Sequence, residues 1–89
     1  MGNWFAYILY SVKVDRCYVG FTDNLDWRLK RHNSGWGKYT KRGIPWSLVY
    51  SEEFFFKNEA IKREKEIKNM KSRKYIENLL EAYGGGRPD

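Results

Sequence analysis

The chain reads as a small α+β domain, a three-stranded antiparallel sheet flanked by helices in the order strand, strand, helix, strand, helix, helix. Two observations predict the sheet. Trp4 to Tyr10 and Cys17 to Thr22 are aromatic and β-branched runs separated by a short polar stretch, the pattern of a hairpin, and a third such run follows Pro45. A third observation predicts the helices: capping residues precede segments whose apolar positions recur at three- and four-residue spacing.

Trp4 to Tyr10 is apolar throughout, which suits a strand buried on both faces. A four-residue connection, Val12 to Asp15, would put Tyr7 and Tyr18 on the same face of the sheet, because side chains alternate with period two. Thr22-Asp23-Asn24 starts a helix, with Asp23 as the expected cap and Asp26 in the first turn. That helix reaches about His32, carries Leu25 and Leu29 as its core stripe, and stops at Asn33-Ser34-Gly35. Gly35 to Ile44 reads as a loop. Pro45 opens a strand from Trp46 to about Phe54, with partial alternation through Trp46, Leu48 and Tyr50. Asn58 is placed to cap a second helix over about Glu59 to Met70, and Ser72 a third reaching about Ala82. Residues 1–83 then form one domain, and residues 84–89 a disordered tail.

A hydrophobic fraction of 42% and an aromatic fraction of 18% in 89 residues indicate a packed globule rather than a disordered chain. The net charge of +6 favours a polyanionic partner, since neutralised phosphates release condensed counterions. The single cysteine, Cys17, lies in an apolar strand and is expected to be a buried, inert thiol. The longest apolar run is too short to span a bilayer and lacks the basic leader of a secretory signal. The expectation is a soluble cytoplasmic monomer with no membrane association.

Three sets of residues carry candidate chemistry. On the second helix, Ala60, Ile61, Ile67 and Met70 define an apolar stripe, and Glu64 projects inside it. A buried carboxylate there needs a cationic partner, either a structural salt bridge, for instance to an arginine, or a metal ion, unless a slight rotation of the helix leaves Glu64 at the rim. A hard cation such as Mg²⁺ takes one or two protein carboxylates and completes its shell with water and phosphate oxygens. On the first helix, Arg28 and His32 share a face by the i, i+4 rule. An arginine offers a planar fork of donors to phosphate, and a histidine changes protonation near neutrality; a solvated basic helix face accounts for the same spacing. Tyr7 and Tyr18 complete the set. Tyrosine is also an ordinary strand residue, and it serves as a base only where nearby cations favour its phenolate.

Together these residues resemble the GIY-YIG nuclease superfamily. Its first motif tyrosine corresponds to Tyr7 in Phe5-Ala6-Tyr7, and its second motif to Tyr18-Val19-Gly20, eleven residues on. Its helix arginine corresponds to Arg28, the histidine of several members to His32, and its metal-binding glutamate to Glu64. The likeness covers roughly residues 4 to 80 and is closest to small stand-alone bacterial members. Phe5 and Ala6 replace the glycine and isoleucine of the first motif. The resemblance implies a metal-dependent endonuclease acting on phosphodiester bonds, with DNA preferred over RNA. Glu64 would hold Mg²⁺ or Mn²⁺, Tyr7 would take the proton of the attacking water beside Tyr18 and His32, and Arg28 would neutralise the phosphate.

Substrate contacts are expected from the loop, where Trp36, Lys38, Tyr39, Lys41 and Arg42 interleave rings and cations as single strands require. The rings have a second reading, a local cluster that pins the loop to the body. With no separate sequence-reading module in view, selection of nucleic-acid structure is expected over selection of base sequence. Two other functions compete with the nuclease: a nucleic-acid-binding module without useful catalysis, and an interaction domain whose basic face docks an acidic protein partner.

Overall fold

The structure, a computed structural model, describes residues 3–35, 37–70 and 73–82. Strand β1 (Trp4–Ser11) is the middle strand, paired antiparallel with β2 (Arg16–Thr22) on one side and with β3 (Trp46–Phe54) on the other. Its central position explains its unbroken apolar run, since Ala6, Tyr7, Ile8 and Leu9 are all buried. Helices α1 (Leu25–His32), α3 (Lys57–Met70) and α4 (Arg73–Ala82) complete the expected α+β order. One turn of helix, α2 (Lys38–Lys41), forms inside the segment read as a loop.

The sheet separates two apolar layers. Tyr7, Leu9 and Trp46 pack with Tyr18, Leu25, Leu29 and Ile44, so α1 covers that face. Ile8, Val19, Tyr50 and Ile67 pack with Tyr75, Ile76, Leu79 and Leu80, so α3 and α4 cover the opposite one. The turn leaves Val12 to Asp15 outside the strands, and the register pairs Tyr7 with Gly20 and Leu9 with Tyr18. Tyr7 and Tyr18 therefore share the α1 face, as the four-residue connection predicts.

Several local expectations are corrected. Trp46 and Tyr50 do not alternate onto one face: the register shifts between Ile8 and Leu9, which pair with Tyr50 and Leu48, so Val49 is the extra residue of a bulge. That insertion sends Tyr50 to the α3 layer and Trp46 to the α1 layer. Asn24 rather than Asp23 caps α1. The Asn24 amide donates to Thr22 Oγ1 (3.1 Å), and Asn24 Oδ1, on an extended backbone, accepts from the Trp27 amide at 3.0 Å. Helix α3 starts at Lys57, ahead of Asn58, because the Phe56 amide donates to the Glu59 carboxylate and the Glu59 amide returns a bond to the Phe56 carbonyl. Met70 is half exposed rather than part of the stripe. Cys17 is partly buried, and burial pushes its thiol up, in keeping with an inert group. Ser72 and the tail from residue 83 lie outside the described residues.

Polar clamps fix the layers on each side. Arg63 of α3 donates to both oxygens of Glu52 on β3, to Glu66, and to the Tyr75 hydroxyl on α4. On the α1 side, Asn33 grips the first residue of β3: the Trp46 amide donates to Asn33 Oδ1 (2.6 Å), and Asn33 Nδ2 donates to the Trp46 carbonyl (3.1 Å). The end of α1 is thereby tied to β3, and α1 is the helix that carries Arg28 and His32. Asn33→Ala removes both bonds and should lower unfolding free energy by about 1–3 kcal/mol, read as a drop in urea midpoint with an unchanged slope.

Candidate active site

The site is organised by the Tyr7–Gly20 pair. The phenol of Tyr7 lies across the strand over Gly20, where a Cβ would stand 2.6 Å from the Tyr7 hydroxyl and 2.8 Å from Cζ. Any side chain at Gly20 would displace the ring, which is the reason for glycine here.

Helix α1 brings His32 to this hydroxyl. His32 Nε2 is 3.3 Å from the Tyr7 oxygen, and the imidazole meets the Tyr18 ring edge-on, with centroids 4.6 Å apart. His32 is buried, and burial, Arg28 and Arg31 together hold its pKa below the ordinary value near 6.5. The ring is therefore neutral at neutral pH, and one tautomer accepts the phenol proton at Nε2. Arg28, one helical turn before His32, acts on the same phenol by charge and hydrogen bonding. Its Nε is buried without a hydrogen-bond partner among the described residues. Burial dominates at Tyr7 and pushes the phenol up to about 12, against the downward pull of Arg28 and with smaller upward contributions from Tyr18 and Glu64. In this state the phenol keeps its proton.

Glu64 is buried at 8% exposure, within the apolar stripe as its position predicts. Its helix packs Ile67 on the opposite face of the sheet from Tyr7. The carboxylate pairs with Lys68, one turn on, at 2.5 Å, so its cation is a lysine of its own helix, while Arg63 turns to Glu52. The structure thus gathers Tyr7, Tyr18, Arg28 and His32 on the α1 face, whereas Glu64 stands on α3, which packs on the other face, and its charge is the smallest of the influences on the Tyr7 phenol. Lys68 was legible in the sequence as an i, i+4 pair with Glu64, but the spacing does not say which of many lysines turns inward.

In the loop, Thr40 is buried and its carbonyl accepts from Trp46 Nε1 at 2.7 Å, which pins α2 to the body. Lys41 and Arg42 are exposed beside it. Trp36 and the side chains of Lys38 and Tyr39 lie outside the described residues. Among the described residues no helix is long and apolar enough to cross a membrane.

Residues 3–76 match the model of the GIY-YIG catalytic domain. The chain belongs to the GIY-YIG family. A UPF0213 protein of Staphylococcus haemolyticus is 39% identical over 82 residues, 91% of this chain and 99% of that one. One from Clostridium perfringens is 46% identical over 67 residues, 74% of this chain and 71% of its own. The solution NMR structure of a UPF0213 protein from Bacillus halodurans matches with a TM-score of 0.61 at 39% identity, covering 94% of this chain and 88% of that one. This GIY-YIG chain is thus similar to small bacterial proteins about its own size, and its domain is of a nuclease type, for which nucleic acid is the substrate class.

His32 is the single histidine of the chain, so its titration is directly readable. Its NMR midpoint should fall below the ordinary value, and Arg28→Met should move it upward. Because the folded pKa is depressed, the unfolded chain takes up the proton first on acidification. The His32 contribution to stability is therefore present above about pH 6.5 and is lost as pH falls through the folded midpoint, which thermal melts across that range will register.

Proposed function

We propose that this protein is a divalent-metal-dependent endonuclease that hydrolyses phosphodiester bonds in DNA and selects structure over base sequence. One observation carries this reading: the Tyr7 hydroxyl is held at His32 and under the influence of Arg28, whose buried Nε lacks an acceptor. A phosphate oxygen is an acceptor of the required charge. The preference for DNA over RNA rests on the family resemblance.

Among the described residues no cluster of three or more His, Cys, Asp or Glu is available to a metal ion. Mg²⁺ or Mn²⁺ needs none when phosphate and water complete its shell. Glu64 fits such an ion as its one protein ligand, since it is buried and its partner Lys68 is half exposed and able to swing into solvent. Bound there, the metal would supply Lewis-acid stabilisation of charge on the phosphate and the leaving oxygen.

The side chains do the rest. Arg28 neutralises the pentacovalent phosphate and gains the acceptor that its Nε lacks. Tyr7, protonated at rest, takes a proton from the attacking water as it passes its own to neutral His32 Nε2, so that no free phenolate accumulates. Tyr18 packs edge-on against the imidazole and holds its plane. A second reading, a binding module with weak or absent catalysis, is favoured by the Glu64–Lys68 pair, which competes with a metal for the same carboxylate.

Cleavage of branched, single-stranded and duplex DNA in Mg²⁺ or Mn²⁺ separates the readings. Glu64→Ala should reduce cutting to background with metal-free binding intact. Tyr7→Phe should slow it by about 10²-fold or more. Lys68→Ala should lower the Mg²⁺ concentration needed for half-maximal rate. Tight binding by the wild type with no cutting in either metal would establish the module instead.

A further inference from the structure

Helix α1 advances about 100° per residue. Leu25, Leu29, His32 and Arg28 occupy its inward arc, and all four are buried or partly buried. Turning outward past Arg28, the next positions are Arg31 and then Trp27; turning outward past Leu29, they are Asp26 and Lys30. Trp27 and Arg31 therefore continue the rim on which Arg28 stands. The Arg31 guanidinium carbon lies 5.0 Å from the centroid of the Trp27 ring, and its charge reaches His32. Trp27 is nevertheless 51% exposed, an unusual position for the largest apolar side chain on a helix with an otherwise polar outer surface.

The stack with Arg31 braces the indole and places a cation beside it. A flat ring half exposed to solvent and braced by an arginine suits an unpaired nucleobase and its phosphate. A duplex offers no match, since its bases are already stacked on one another, and an acidic peptide would use the cations but not the ring.

We propose that Trp27 and Arg31 form a stacking subsite for an unpaired nucleotide adjoining the phosphate at Arg28. Resting on the nuclease reading, this makes the substrate class a DNA with a single-stranded segment, such as a flap, a gap or a splayed arm. Trp27 takes the base, Arg31 takes a neighbouring phosphate, and a fully paired duplex loses the stacking contribution.

The test uses the full chain in EDTA, so that binding is measured without metal or cleavage. Fluorescein-labelled oligothymidine and a labelled duplex are titrated by anisotropy against the wild type, Trp27→Leu and Trp27→Phe. Trp27→Leu should weaken single-strand binding about five-fold or more, Trp27→Phe should recover most of it, and duplex affinity should stay within about two-fold. Arg31→Gln should flatten the salt dependence by somewhat less than one ion. Equal single-strand affinity in Trp27→Leu, or equal losses on both probes, would overturn the subsite. A measurement free of variants guards against misfolding: a strand carrying 5-bromouracil should photocrosslink to Trp27 of the wild type, and crosslinks confined to other residues would also overturn it. The nuclease reading fails separately, if the wild type binds in this way yet never cuts with metal present.

Discussion

A phenol laid over a glycine is the constraint on which the rest of this site depends. Tyr7 occupies the space that a side chain at Gly20 would fill, and only in that position does its hydroxyl reach His32. The pair is set by strand register, register is set by the turn at Val12–Asp15, and a shift of one residue would turn Tyr7 to the α3 layer. The placement of the hydroxyl beside His32 is therefore decided by a hairpin connection several residues away.

Burial works in opposite directions on the two partners of the Tyr7–His32 contact. It raises the phenol and lowers the imidazole, and both changes favour neutral groups joined by a hydrogen bond. Arg28 reinforces the outcome at His32 and opposes it at Tyr7. Arg28 is thus the charge that opposes the resting state of the phenol, and its Nε is buried without a hydrogen-bond partner among the described residues.

The layered architecture explains the different standing of Glu64. Four candidate side chains come from β1, β2 and α1, which share one layer, whereas Glu64 comes from α3, which packs on the other. Its neutralisation by Lys68 keeps a buried carboxylate tolerable in the fold without committing it to a rigid network, in contrast to the Arg63 clamp next to it. The same layer carries Glu52, Arg63, Tyr50 and Tyr75, whose mutual bonds hold α3 and α4 to β3.

Local pattern alone was sufficient for the element order, the burial of β1 on both faces, the shared face of Tyr7 and Tyr18 and the misplaced Glu64, because each follows from spacing along one segment. The family was legible for the same reason, and the match to the GIY-YIG domain over residues 3–76 agrees with it. Tertiary structure decided what spacing cannot carry. The bulge at Val49 split Trp46 from Tyr50, a turn of helix pinned by Trp46 replaced an open loop, Asn24 took the cap from Asp23, and Lys68 rather than an arginine met Glu64. Each of these was settled by competition for space or hydrogen bonds between residues distant in the chain or equivalent in the pattern, and periodicity ranks neither.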